Sequence, residues 1–273
     1  MNNSMISSAV SMAGIQQRLD ILADNIANVN TIGYKSKGAT FEDTLTTMFK
    51  QEPPMGRTGR ATPLGINVGY GSKMAGVTRD FSQGSFKDTG IDTDLAIQGN
   101  GLFAVQANGQ KAWTREGSFH IQPDPQDSKL AYLVTAQGYY VLDKNNAPIT
   151  VPAGSKLQID AGGNIKATLG RTTTNLGQAI QLVSPQRPDA LEQRADNLYV
   201  LSAGAAERDV LANNDALPQN QRATLRQSAL EQSNVDITTE MSDMLQVQRA
   251  YQLAARALTS SDTMTGLVNN LRG

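Results

Sequence analysis

The sequence predicts an α+β fold in which a discontinuous N- and C-terminal α-helical coiled-coil domain flanks an all-β middle domain, the parts joined by long extended connectors. Three observations carry this expectation. Apolar residues recur at heptad spacing near both ends of the chain, short alternating apolar runs broken by turn dipeptides fill the middle, and Gly- and Pro-rich stretches separate the two patterns. The expected parts are an N-terminal helix within 1–34, a Gly-rich connector over 35–90, an outer β domain over 91–210, a return connector over 211–232 and a C-terminal helix within 233–273.

The first helix is read from Met5, Met12, Leu19 and Ile26 in steps of seven, with Ser8, Ile15, Leu22 and Val29 three residues later. Gln16, Gln17, Arg18, Asp20 and Asp24 fall off that seam, and Asn2, Asn3 and Ser4 are candidate caps. About 26 residues at 1.5 Å each predict a helix roughly 40 Å long. The connector that follows holds Pro53-Pro54 and repeated glycines. Only Phe41–Phe49 within it reads as a short helix, the rest as extended or looped chain.

In the middle, Asn108-Gly109, Asn145-Asn146 and Gly162-Gly163 are hairpin signals, because these residues enter the positive-φ region that tight turns require. The expected β core is Leu95, Ile97, Phe103, Val105, Trp113, Phe119, Leu133, Tyr140, Leu142, Leu157, Ile159 and Val200. The C-terminal helix repeats the first device, with Met244, Tyr251, Leu258 and Thr265 at one heptad position and Val247, Ala254, Ser261 and Val268 at the other. Asp236 is its expected N-cap, Glu240 lies in its first turn, and Arg272 and Gly273 lie at its end. Seams of this length do not offset the ordering cost of a lone helix, so both ends are expected to need neighbouring copies.

Composition narrows the function. Twenty-four basic against 25 acidic residues give a net charge of −1, which offers no general attraction to nucleic acid or to an anionic membrane. No cysteine is present, so disulfides, thiol nucleophiles and thiolate metal sites are excluded. No apolar run reaches the roughly 18 residues of a membrane span. The first residues have neither the basic start nor the apolar block of a cleavable signal peptide.

Catalytic patterns are weak. His120 is the single histidine, so a histidine triad or a multi-histidine metal site cannot form. Asp92 and Asp94 lack calcium-loop spacing, and Glu116, Asp124 and Asp127 have no spacing that marks a glycosidase pair. The "GNG" at Gly99–Gly101 lacks the rest of a dinucleotide fingerprint, and Tyr251 beside Arg249 and Arg256 sits on a helix seam rather than a basic patch. No catalytic residue, cofactor or metal is expected. The competing readings are a self-assembling structural protein and a cell-envelope binding module or enzyme.

Five stretches carry a resemblance. "LDILADNIANVNTIGYK" near the start is similar to the N-terminal signature of the bacterial flagellar rod and hook family, and "LEQSNVDITTEMSDMLQVQRAYQLAARALTSSDTM" resembles its C-terminal signature. "DTDLAIQGNGLFAV", "WTREGSF" and "LVTAQGYYVL" resemble the β domain of its hook and distal-rod members. Length and the Gly-rich connector resemble the distal-rod members or a close rod paralogue, with hook or proximal-rod subunits as the alternative. The chain departs from the family pattern at Tyr34, at Leu102-Phe103 and in the loop "QPDPQDSK".

The resemblance implies helical self-association into a hollow shaft, contacts with other rod subunits and hook subunits, and location in the basal body within the cell envelope. It also implies passage through the flagellar type III export apparatus without peptide cleavage, with no nucleic-acid partner and no direct membrane insertion. The residues expected to build the assembly interface are Met12, Ile15, Leu19, Leu22, Asn25, Ile26, Asn28, Val29, Asn30 and Gly33 at the front, and Met244, Val247, Tyr251, Ala254 and Leu258 at the back. The asparagines are expected to bond carbonyls at the helix end or on a neighbour, and Gly33 to permit the turn.

Overall fold

The apolar periodicities at the chain ends form long helices, and a one-turn helix lies between them: α1 (Asn3–Ala27), α2 (Glu207–Val210) and α3 (Ile237–Leu271). The computed structural model describes residues 3–43, 46–49, 66–69, 72–124 and 127–271. Contacts divide the chain into two compact units, one from Met1–Ala27, Lys37–Thr78 and Asp236–Gly273, the other from Asn28–Ser36 and Arg79–Val235.

In the first unit α1 and α3 lie against each other, accompanied by β1 (Lys37–Asp43), β2 (Thr46–Phe49), β3 (Ile66–Gly69) and β4 (Ser72–Arg79). β1 pairs with β4 and β2 with β3, the latter in antiparallel register from Thr46↔Gly69 to Phe49↔Ile66.

These strands correct the expected fold class. The described elements are mostly β-strands, with one long helix near each end, and do not form a coiled-coil domain flanking a β domain through extended connectors. The segment read as extended connector pairs with itself, which satisfies its backbone groups inside the unit. Nor do the helices meet as a continuous seam of buried knobs: among the described heptad positions only Leu22 and Val247 are fully buried, whereas Asn25, off the seam, is 1% exposed. The short helix expected over Phe41–Phe49 is strand wherever that stretch is described, in keeping with its Thr and Phe content. Pro53-Pro54, Asn2 and Arg272-Gly273 lie outside the described residues, as does part of the "QPDPQDSK" loop.

The second unit is built from β5 (Phe86–Asp88), β6 (Leu95–Gln98), β7 (Leu102–Ala107), β8 (Gln110–Thr114), β9 (Phe119–Pro123), β10 (Leu130–Thr135), β11 (Tyr140–Val141) and β12 (Thr150–Pro152). It continues through β13 (Lys156–Ile159), β14 (Asn164–Leu169), β15 (Thr172–Ala179), β16 (Leu182–Pro185), β17 (Leu191–Gln193), β18 (Leu198–Leu201), β19 (Leu211–Asn213), β20 (Thr224–Gln227) and β21 (Ala229–Glu231). The main sheet has the order β12-β10-β11-β7-β8-β18-β17, with β9 on β10, β16 on β7 and β19 on β16. A three-stranded sheet β13-β14-β15 and the ribbons β20-β6 and β21-β5 complete the unit.

β7 is buried on both faces, and period-two alternation sends its side chains to two cores. Phe103 and Val105 join Phe119, Leu133, Leu157, Ile159 and Ile165 in one cluster. Leu102 and Ala104 join Trp113, Leu142, Leu191 and Tyr199 in the other. Phe103 meets Phe119 edge to face at 5.0 Å. The Asn108-Gly109 turn closes β7 onto β8 with both residues at positive φ, 51° and 78°. One expected core residue is misplaced: Tyr140 is 38% exposed, on the outer side of β11 against Tyr132.

Candidate assembly site

In the first unit, α1 and α3 run antiparallel. Asn25 bonds Glu240, and one α1 turn pair earlier Arg18 faces Asp243 at 3.8 Å across a largely solvated pair. Met12, Ile15, Leu19 and Ile26 are half-buried along α1, and Met244, Tyr251, Ala254 and Leu258 along α3. A second apolar stripe on α3 is open: Met241, Leu245, Leu253, Met264 and Leu267 are each more than half exposed, from 51% to 64%. At about 100° per residue this stripe is about half a turn round from Met244, Val247, Tyr251, Ala254 and Leu258. An apolar stripe is ordinarily turned toward a core; α3 carries two.

Among the described side chains of α1, Asn25 is the most buried polar group. Its Oδ1 accepts from the Lys37 N–H at 2.9 Å, and its Nδ2 donates to the Lys37 carbonyl at 2.9 Å and to Glu240 Oε1 at 3.1 Å. One side chain therefore ties the end of α1, the start of β1 and the first turn of α3. Asp24 adds an ion pair to Lys37. α3 starts as its sequence predicts: Asp236 Oδ1 accepts from the Thr238 N–H at 2.9 Å, Oδ2 from the Thr239 hydroxyl at 3.0 Å, and these bonds hold the carboxyl below its ordinary value. Glu240 is pushed the other way, by desolvation first and opposed by the Asn25 bond, with Asp243 and Asp236 adding repulsion. Its Oε2 is buried without a hydrogen-bond partner.

α1 ends at Ala27, so Asn28, Val29, Asn30 and Gly33 belong to the second unit rather than continuing the helix seam. Asn28 accepts from the Thr31 N–H and hydroxyl, Val29 is half-buried and Asn30 is exposed. Gly33 has φ +67°, and its N–H donates to the Glu231 carbonyl at 2.9 Å. A Cβ there would lie 2.7 Å from the backbone carbonyl of Arg115, so both conformation and space call for glycine.

Around Gly33 lies a group that sequence reasoning missed. Glu231, Lys35 and Arg115 form a buried ionic node with side chains about 1% exposed. Glu231 Oε1 accepts from Lys35 Nζ at 2.7 Å and from the Gly84 N–H at 2.9 Å, while Oε2 accepts from Arg115 Nε at 2.6 Å. The rest of the Arg115 guanidinium donates to the carbonyls of Ile97, Gly99 and Gly101, which accounts for the "GNG" turn without a nucleotide. Burial and then Arg115 push Lys35 below its ordinary value, against the opposing pull of Glu231 and Asp80. The only sequence signal was that Lys35 ends the N-terminal signature, Glu231 lies in the C-terminal one and Arg115 lies in "WTREGSF".

The other candidates have ordinary surroundings. His120 is exposed on β9, Glu116 accepts from Ser118, and Asp124 accepts from Tyr132. Among the described residues no three His, Asp or Glu gather as metal ligands, and no helix is long and apolar enough to cross a membrane.

Three family models match in chain order. Residues 12–35 match "Flagella basal body rod protein", residues 96–167 "Flagellar hook protein FlgE/F/G D1 domain", and residues 226–271 "Flagellar basal body rod FlgEFG protein C-terminal". Among full-length relatives, the flagellar hook-basal body complex protein FlhP of Bacillus subtilis is 31% identical over 280 residues, covering 100% of both chains. The flagellar basal-body rod protein FlgG of Borreliella burgdorferi is 33% identical over 276 residues, covering 100% of this chain and 99% of that one. FlgG of Bacillus subtilis is 31% identical over 281 residues, again covering 100% of both. With matched segments spanning α1, the β unit and α3, and full-length identity at this level, the chain belongs to the flagellar basal-body rod and hook protein family.

Proposed function

We propose that this structural subunit of the flagellar basal-body rod polymerises helically into a hollow shaft that transmits torque from motor to hook and surrounds the export channel. The observation that carries the reading is the pair of opposed apolar faces on α3. One lies toward α1, and the other, from Met241 to Leu267, is left for the helices of neighbouring subunits. The assembly interface is then the helix pair, from Met12 to Ile26 and from Met244 to Leu258, together with the outward stripe. Repetition of one such heterologous contact generates a helical array.

On this reading the partners are further copies, other rod subunits and hook subunits. The chain reaches the cell envelope through the flagellar type III export apparatus without peptide cleavage. Its near-neutral charge favours neither nucleic acid nor direct membrane insertion. A second reading, a rod paralogue rather than the distal rod itself, is supported by the similarity to FlhP.

Leu245→Asp/Leu253→Asp places two charges on the open stripe without touching the face toward α1. The double variant is expected to keep wild-type helix content by circular dichroism and to lose polymerisation in a sedimentation assay. Polymerisation at the wild-type level would contradict the assignment.

A further inference from the structure

We propose that Glu231 is a positioning residue that latches residues 28–36 onto the β unit, so that the N-terminal link closes only after the segment carrying Glu231 has been laid down. The inference concerns the single chain and goes beyond its role in the rod.

Residues 28–36 are bonded to this unit at several points, the Asp80 N–H to the Ser36 carbonyl at 3.0 Å among them, and three of the bonds end on the segment just before α3. The Gly33 N–H donates to the Glu231 carbonyl, Lys35 Nζ to the Glu231 carboxylate, and the Ser36 N–H to Asn234 Oδ1 at 2.8 Å. Asn234 Nδ2 in turn donates to the Asp80 carbonyl at 2.9 Å, and Asn197 Nδ2 holds the Ile32 carbonyl at 3.1 Å. Lys35 and Glu231 are 196 positions apart, so the contact exists only in a chain whose distal part is present and folded.

Charge makes Glu231 decisive. The node holds two cations and one carboxylate, all buried. Without Lys35, Arg115 and Glu231 are a neutral pair that can form inside the β unit alone. Lys35 adds a surplus positive charge, tolerated because Glu231 Oε1 and the Ser82 carbonyl, 2.6 Å from Nζ, receive it and Asp80 lies nearby. Arg115 cannot yield, since it also satisfies three carbonyls. If the carboxylate loses its charge, Lys35 is the cation that must leave, and residues 33–36 leave with it.

The test is amide hydrogen exchange on the full chain, comparing Glu231→Gln, Lys35→Met and the double variant. Glu231→Gln is expected to speed exchange at Gly33 and Ser36 on the order of tenfold or more, while Leu133 and Leu142, paired inside the β unit, stay protected. In the Lys35→Met background the same change is expected to speed exchange less than about threefold, because no surplus cation remains. Equal acceleration in both backgrounds, or full protection of Gly33 and Ser36 in Glu231→Gln, would overturn the latch. If Glu231→Gln instead exposes Leu133 and Leu142, the double variant decides: restored protection supports the charge argument, and continued exposure refutes it.

Discussion

Asn25 shows how one side chain can do the work a seam was expected to do. Its amide satisfies both backbone groups of Lys37 and reaches Glu240, so Asn25→Ala removes three bonds and leaves buried groups without partners. A loss of about 2–3 kcal/mol in the stability of the helix-containing unit is expected from chemical denaturation. Glu240 makes a second prediction. Its folded pKa is raised, so its contribution to stability is fully present below the ordinary value of 4.5 and is lost as pH rises through the folded value. Asp236, whose carboxyl is lowered, has the opposite sign, and its cap is lost as pH falls. Glu240→Gln keeps an acceptor for Asn25 and removes the buried charge. Thermal melts of this variant near neutral pH are expected to match or exceed wild type, with the loss of stability above pH 4.5 diminished. A marked drop in melting temperature would mean that the Glu240 charge is needed.

At the scale of elements, what was legible followed local rules. The two terminal helices announce themselves by period, the Asn108-Gly109 and Gly162-Gly163 turns by residue type, and the Asp236 cap by its place before the run. The pairing of β1 with β4 and of β2 with β3 was not legible, because each partner lies across a Gly-rich stretch with no alternating apolar pattern. The ionic node escaped for the same reason: Arg115 and Glu231 meet across 116 positions, and neither stands in a run that marks burial. β7 carries the clearest prediction for an element. Because both its faces are buried, Phe103→Ala should cost about 3–5 kcal/mol and lower the unfolding midpoint of the β unit. A change below about 1 kcal/mol would show that the cluster can collapse around the missing ring.

At the scale of the molecule, the chain joins a β unit with two cores of its own to a smaller unit in which each long helix offers limited buried surface. The β unit is expected to withstand heat or protease independently of the helices, whereas the helices are expected to gain stability by mass action from neighbouring copies. Limited proteolysis at low concentration should accordingly release a β fragment, and added polymer seeds should protect the ends. Leu22→Asp/Ile26→Asp belongs at this scale too, since it strikes the helix pair and spares the β unit. The most direct measurement is electron cryotomography of cells lacking the chromosomal copy, complemented with the wild-type chain or with that double variant. A truncated rod without a hook, restored by the wild-type chain and not by the variant, is the predicted result. Intact flagella in the deletion strain, or full rescue by the variant, would contradict assembly through the terminal helices.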